Sequence, residues 1–205
     1  MGTMRAARLR LSTILLLTIV FSPFQSWAES AGDHVAEFQS GLLSVMKEAK
    51  ALGVKGRFER LQPIIKRSFH LSLIAGLSAG PYWNQASSEQ QTRLVSAFTN
   101  MSVATLATLF SGYSGEVFIV TGERPGPQGI TFVDTSLKAP DRDKDVQISY
   151  VTRQFEGQWL IIDVIVDGGI SELKVRISEY RQTLNTGGIE ALITLLARKS
   201  DDLLS

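Results

Sequence analysis

Few side chains in this chain are equipped for chemistry. Cysteine is absent, and the histidines are two, His34 and His70. Neither stands in a close motif with acidic residues, so a transition-metal site is not expected. Asp163 is the exception that draws attention, as the single charge inside the apolar run Trp159 to Val166. Burying a carboxylate costs several kcal/mol unless it is hydrogen-bonded or paired, so Asp163 needs partners. One reading makes it a general base of the isomerase kind, facing a pocket. The other makes it a structural buried acid that accepts hydrogen bonds from Tyr, Trp or backbone donors. The second is favoured, because no other titratable group shares a recognisable motif with it. Asp167-Gly168-Gly169 reads as a turn on the same logic, and Arg153 as an ion-pair partner on a sheet face.

The run that carries Asp163 is half of a hairpin. Val146, Ile148 and Tyr150 alternate with Gln147 and Ser149, the period of a half-buried strand. Glu156-Gly157 supplies a turn, and the strand after it is apolar on both faces, which predicts a place in the middle of the structure. Upstream, Glu116 to Thr121 and Ile130 to Leu137 read as strands. Gly122 to Gly129, with Pro125 and Pro127, reads as the loop between them, and Ala139 to Asp145 as a solvated turn.

Helices flank this block. Val35, Phe38, Leu42, Val45, Met46 and Ala49 form a helical stripe from Val35 to Leu52, with Asp33 as N-cap and Gly53 as stop. A second helix is expected over Arg57 to Phe69, with a kink or break near Leu61 because of Pro63. Leu71 to Leu77 reads as one or two helical turns, and Tyr82-Trp83 as a loop or short turn. Ser87 and Gln90 make a capping box for a long helix from Ser88 to Phe110. Its second half (Ser102, Ala104, Thr105, Ala107, Thr108) is small-sided, which allows either close helix packing or a void beside Phe98 and Phe110. After Gly168-Gly169 an extended segment is expected, then a helix capped by Ser178, a break at Gly187-Gly188 and a terminal amphipathic helix. The order predicts an α+β domain with helices on one side of a curved antiparallel sheet.

The first 28 residues stand apart. Arg5, Arg8 and Arg10 precede the apolar stretch Leu11 to Phe24, and Ser26 and Ala28 are small residues at the positions a signal peptidase reads. We expect a signal peptide over 1–28, cleaved after Ala28, and a single domain over 29–205. An uncleaved anchor is the competing reading, although the stretch is short for a bilayer. Without the three leader arginines, the 21 basic residues fall to 18 against 20 acidic, a balance of about −2. No basic stripe remains to suggest nucleic acid. With no cysteine, the domain is held by burial alone.

Five stretches taken in order carry a resemblance: RFERLQPIIKRSF, LIAGLSAGPYWNQASSEQQTRLVSAF, LFSGYSGEVFIV, YVTRQFEGQWLIIDVIVDGGIS and YRQTLNTGGIEALITLL. Together they resemble the MlaC (toluene-tolerance auxiliary) family of periplasmic lipid carriers, most of all its hopanoid-associated HpnM branch. The similarity spans nearly all of the chain after residue 28. It implies a nuclear-transport-factor-like cone enclosing an apolar cavity, with phospholipid or hopanoid as cargo and no other cofactor. It also implies a periplasmic location and two partners: an inner-membrane ABC transporter complex with its membrane-anchored lipid-binding subunit, and an outer-membrane lipid acceptor or donor. The family has no catalytic residues to carry over. The segment after Ser68 usually reads Phe-Asp-Leu-Pro in the family, whereas here it is Phe69-His70-Leu71-Ser72.

On this reading the cavity wall is expected to include Phe69, Leu73, Ile74, Leu77, Phe98, Met101, Leu106, Phe110, Phe118, Val120, Ile148 and Tyr150, with Trp83 and Tyr113 at its mouth. Moving a lipid through water exposes tens of methylenes at about 0.8 kcal/mol each, so a carrier needs dry walls and no reactive groups. Release needs motion, for which Gly53, Gly56, Gly76 and Gly80 are the expected hinges. Two other classes stay open: a cone-fold enzyme with Asp163 as base, and a solid-cored module that binds an envelope complex.

Overall fold

The computed structural model describes residues 29–140 and 143–205. The expected signal peptide, residues 1–28, lies outside the described residues. Among the described residues no helix is long and apolar enough to cross a membrane.

Among the described residues six α-helices and five strands follow in the order α1 Ala31–Lys47, α2 Ala49–Ser68, α3 Leu71–Ala79, α4 Pro81–Gln85, α5 Ser88–Leu109, β1 Val117–Pro125, β2 Ile130–Lys138, β3 Val146–Phe155, β4 Gln158–Val166, β5 Ile170–Ser171 and α6 Glu172–Leu204. The strands form one antiparallel meander in sequence order. The helices cover one face of this curved sheet, the expected α+β arrangement. The Glu156-Gly157 turn joins β3 to β4 with both residues at positive φ (51° and 83°), the conformation that matches hairpin twist.

Local differences from the expected elements have identifiable causes. The N-cap of α1 is Ser30, and Asp33 is the N3 partner of its capping box. Pro63 sits in unbroken helix, exposed to solvent; the backbone departs from helix at Gly53 instead (φ 62°, ψ −179°). That conformation is open essentially to glycine alone, so the expected stop became a corner that the chain turns while staying helical on both sides. Tyr82-Trp83 lies in the short helix α4, started by Pro81 at its first turn. β1 runs on to Pro125 through a register shift between Val120 and Gly122, where a loop was expected. A bulge absorbs the glycine, and an edge strand tolerates the proline.

The largest difference is at α6, which begins at Glu172 and not at Ser178. Ser171 Oγ accepts from the Lys174 N–H at 3.1 Å and donates to Asp163 Oδ2 at 2.6 Å. Asp163 Oδ1 accepts the Leu173 N–H at 2.9 Å. The helix start is therefore capped from a neighbouring strand, a signal no local window contains. The expected break stands at Gly188 (φ 63°, ψ −158°).

β4 lies one place from the end of the sheet, not in its middle, with only the two-residue β5 beyond it. It is covered from elsewhere: Phe69 makes a parallel bridge to Ile161, whose carbonyl accepts the His70 N–H at 2.9 Å. His70 then caps α3, its Nδ1 facing the Leu73 N–H at 3.3 Å. An imidazole nitrogen thus does here what an aspartate at this place would do as an N-cap.

Candidate functional site: an apolar cavity between sheet and helices

Two packed clusters hold the helices. One joins α1 and α2 to the sheet, with Val35, Leu42, Leu61, Ile65, Val133 and Ile161 at most 2% exposed. The other joins α3, α5 and α6 around Leu94, Tyr180, Leu192 and Leu196. Phe69 and Leu71 pack against both, and beside them the side chains leave open space. A cavity of about 600 Å³ is bounded by α1, α2, α3, α5, the start of α6 and the concave face of the sheet. That is within the range of small-molecule and lipid sites, roughly 300–1,000 Å³.

The cavity has a closed end and an open one. Phe38, Leu42, Met46, Ile65 and Tyr150 are at most 4% exposed and form the floor. Phe38 meets both Phe69 and Tyr150 edge to face, with ring centroids 5.1 and 6.0 Å apart. At the other end Leu109 is 68% exposed, and Ser111 and Ser114 face solvent. Strand register puts Phe118 opposite Leu137, Leu137 opposite Val146, and Ile148 opposite Val166, so these wall residues share that end of the sheet. The mouth is thus framed by the C-terminus of α5, the start of β1, Ala139 just after β2 and the start of α6.

Eight of the fourteen expected wall residues line the cavity: Phe69, Ile74, Phe98, Leu106, Phe110, Phe118, Ile148 and Tyr150. The other six lie off the wall. Met101 is one step around α5 from the wall face and packs in the α5–α6 cluster. Leu73 and Leu77 lie off the side of α3 that brings Leu71 and Ile74 to the cavity, and Leu77 is 46% exposed. Trp83 packs its ring on Gly76, where a Cβ would stand 3.2 Å from it, far from the mouth expected for it. Tyr113 stands between two wall residues, Gly112 and Ser114, but its ring lies under Lys47 Nζ at 5.4 Å. Val120, two residues on from Phe118, would share its face in a regular strand, yet sits beside the β1 register shift and is 38% exposed.

The sequence reading missed the α1 wall (Phe38, Leu42, Met46) and the β4 wall (Val164, Val166). The helical stripe of α1 signalled an inward face, but periodicity does not tell a packed face from one beside a void. Both readings of the small-sided half of α5 hold, on different faces. Val103, Ala104 and Ala107 are fully buried in close packing, while Ser102 and Thr105 line the cavity between Phe98 and Phe110. Thr105 Oγ1 turns back to the Met101 carbonyl at 2.9 Å, so the wall there presents its methyl group.

Asp163 also borders the cavity, half-buried. Its oxygens accept from the Val164 N–H at 2.8 Å, the Leu173 N–H and the Ser171 hydroxyl. These are backbone and serine donors, not the tyrosine or tryptophan that sequence allowed. Arg153 stacks over Phe155 at 5.5 Å, where an ion pair was expected. No group of three or more metal-ligating side chains gathers among the described residues.

The MlaC protein family profile matches residues 37–198. The chain belongs to the MlaC family. Among solved structures, the phospholipid-binding protein from Ralstonia solanacearum, in complex with a phospholipid, superposes with a TM-score of 0.75 at 16% identity, covering 85% of this chain and 99% of that one. At that identity the likeness speaks to the fold alone. No curated protein matches the chain significantly by sequence.

Proposed function

We propose that this MlaC-family chain is a periplasmic lipid carrier that holds the acyl or ring portion of its cargo in the cavity. The observation that carries the reading is the cavity itself: about 600 Å³ of space with mostly apolar walls, closed at one end and open at the other. If a methylene takes roughly the ~30 Å³ share of a water molecule, that volume holds on the order of 20 carbons, one long acyl chain with little to spare. Holding a tail removes methylenes from water at about 0.8 kcal/mol each, enough to make extraction from a bilayer competitive.

The phospholipid in the Ralstonia structure supports lipid as the cargo class. Family membership and the resemblance to the HpnM branch support shuttling between an inner-membrane ABC transporter complex and an outer-membrane acceptor or donor, with a hopanoid as the other cargo. The apolar stretch before Ala28 supports export by a cleaved signal peptide. The enzyme reading is disfavoured because Asp163 spends its lone pairs on capping and has no second titratable group arranged with it for proton transfer.

Organic extraction and mass spectrometry of the purified protein test the proposal. A stoichiometric phospholipid or hopanoid is the expected result, and it names the cargo. Protein that never carries lipid, even after incubation with vesicles, overturns it.

A further inference from the structure

Charged groups in the cavity wall are few: Glu116, Asp163, Glu172 and Arg176. Glu116, Glu172 and Arg176 are placed toward the mouth, whereas Asp163 lies next to Val164, which pairs with Tyr150 of the floor. Asp163 is occupied by its caps. Glu116 precedes β1 and accepts the Ser114 N–H at 2.6 Å. Glu172 and Arg176 stand one turn apart at the start of α6, on the far side of the sheet from β1. β1 and β5, which leads into α6, are four strand spacings apart, roughly 19 Å along the sheet.

Arg176 is the sole cation of the wall among the described residues. Its side chain is 21% exposed, while those of Glu172 and Glu179 are 46% and 43% exposed. It reaches Glu172 at 3.8 Å and Glu179 at 3.3 Å. Both distances exceed the ~2.7–2.9 Å of a tight charge-assisted hydrogen bond, so the guanidinium is drawn two ways and holds neither partner firmly. One turn further, Tyr180 is 1% exposed, and its hydroxyl has no hydrogen-bond partner. The Lys138 ammonium, outside the wall, is matched by Asp145 at 3.9 Å.

We infer that this rim reads a zwitterionic phosphodiester headgroup, with Arg176 binding the phosphate and Glu172 the ammonium beside it. The inference rests on the lipid reading above and adds which headgroups the site takes. A lipid that enters tail first leaves its phosphodiester at the mouth. The planar guanidinium fork matches two phosphate oxygens, which the diverging carboxylates of Glu172 and Glu179 do not supply. Phosphate binding leaves Glu172 without a counter-charge, and an ammonium a few atoms along the same headgroup restores it. An anionic headgroup lacks that ammonium and meets a rim in which carboxylates outnumber cations. One unmatched like-charge contact at about 4 Å costs about 1 kcal/mol even in water, a factor of about five in occupancy.

The test offers delipidated protein to vesicles of equal phosphatidylethanolamine and phosphatidylglycerol, then quantifies bound lipid by mass spectrometry. Unaltered protein is expected to load phosphatidylethanolamine over phosphatidylglycerol by about five-fold. Arg176→Gln is expected to lower loading of both lipids and, by removing the cation of the wall, to raise that ratio, whereas Glu172→Gln with Glu116→Gln is expected to bring it close to parity. The double glutamine change alters only exposed or half-buried carboxylates and serves if Arg176→Gln does not fold. Equal loading by unaltered protein, or a preference untouched by both changes, overturns the inference while the carrier reading stands. Failure to load either lipid overturns the inference, and the carrier reading falls with it only if the purified protein also carries no hopanoid.

Discussion

At the scale of single residues, the polar atoms of this interior are committed to structure. Asp163 was legible as a carboxylate that needed partners, but which partners it finds was not, because they belong to a helix start eight to ten residues on. Tyr150 and Tyr180 are the residues whose titration the fold alters most clearly. Burial pushes both phenols up from 10 to about 12, against opposing pulls from Gln39 on Tyr150 and from Arg176 on Tyr180. A tyrosine is neutral below its pKa, and the folded state holds the neutral form more tightly than the unfolded chain does. Stability from these two groups is therefore complete below pH 10 and declines between pH 10 and 12, by up to about 1.4 kcal/mol per pH unit for each tyrosine. Denaturant midpoints measured across pH 8–12 should show that decline. Tyr150→Phe and Tyr180→Phe should each flatten it; an unchanged slope in both would contradict the assigned cause.

At the scale of elements, strands were easier to read than helix ends. The alternation in β3, the Glu156-Gly157 turn and the Ser87/Gln90 capping box are local patterns, and the fold keeps all three. The helix breaks were half legible. Glycine marked Gly53 and Gly188, and the amphipathic pattern placed a helix directly after Gly188, but no pattern said that helix resumes at once beyond Gly53, since tertiary packing decides that. Of the glycines expected to serve as hinges, Gly76 is instead a contact surface for the Trp83 ring, and at Gly56 a Cβ would stand 3.1 Å from Leu52. Gly53 and Gly188 adopt positive φ with ψ near 180°, and nothing lies within 4 Å of a Cβ built on either. The cost of substitution there is thus backbone strain without a clash. Gly53→Ala and Gly188→Ala should each lower stability by about 1–3 kcal/mol in chemical denaturation, with little change in lipid loading. A neutral effect would mean the corners relax freely.

At the scale of the whole molecule, the cavity was the least legible feature, because the residues that would fill a core are the same ones that line a void. Phe38, Leu42 and Met46 carry an ordinary core pattern, and only the distance between α1 and the sheet decides that they border open space. That space has an energetic consequence. In packed proteins an unfilled void costs ~24 cal/mol per Å³, so 600 Å³ held dry and empty would cost roughly 14 kcal/mol, as much as a domain's entire stability. The open mouth admits water and reduces this charge, but the apolar floor then stays wet, which also disfavours the empty state. Cargo removes both penalties at once. Lipid that binds only the folded form adds RT ln(1 + [L]/Kd), about 2.7 kcal/mol at a hundredfold excess over Kd. Scanning calorimetry before and after organic delipidation should therefore show Tm falling by several degrees, and vesicles should restore it. Filling the space with protein should separate volume from chemistry. Thr105→Trp, in the middle of the wall, should stabilise the empty protein and abolish loading together. If delipidated protein melts where the loaded one does, the helices have closed on the sheet, and the open form is one that only cargo maintains.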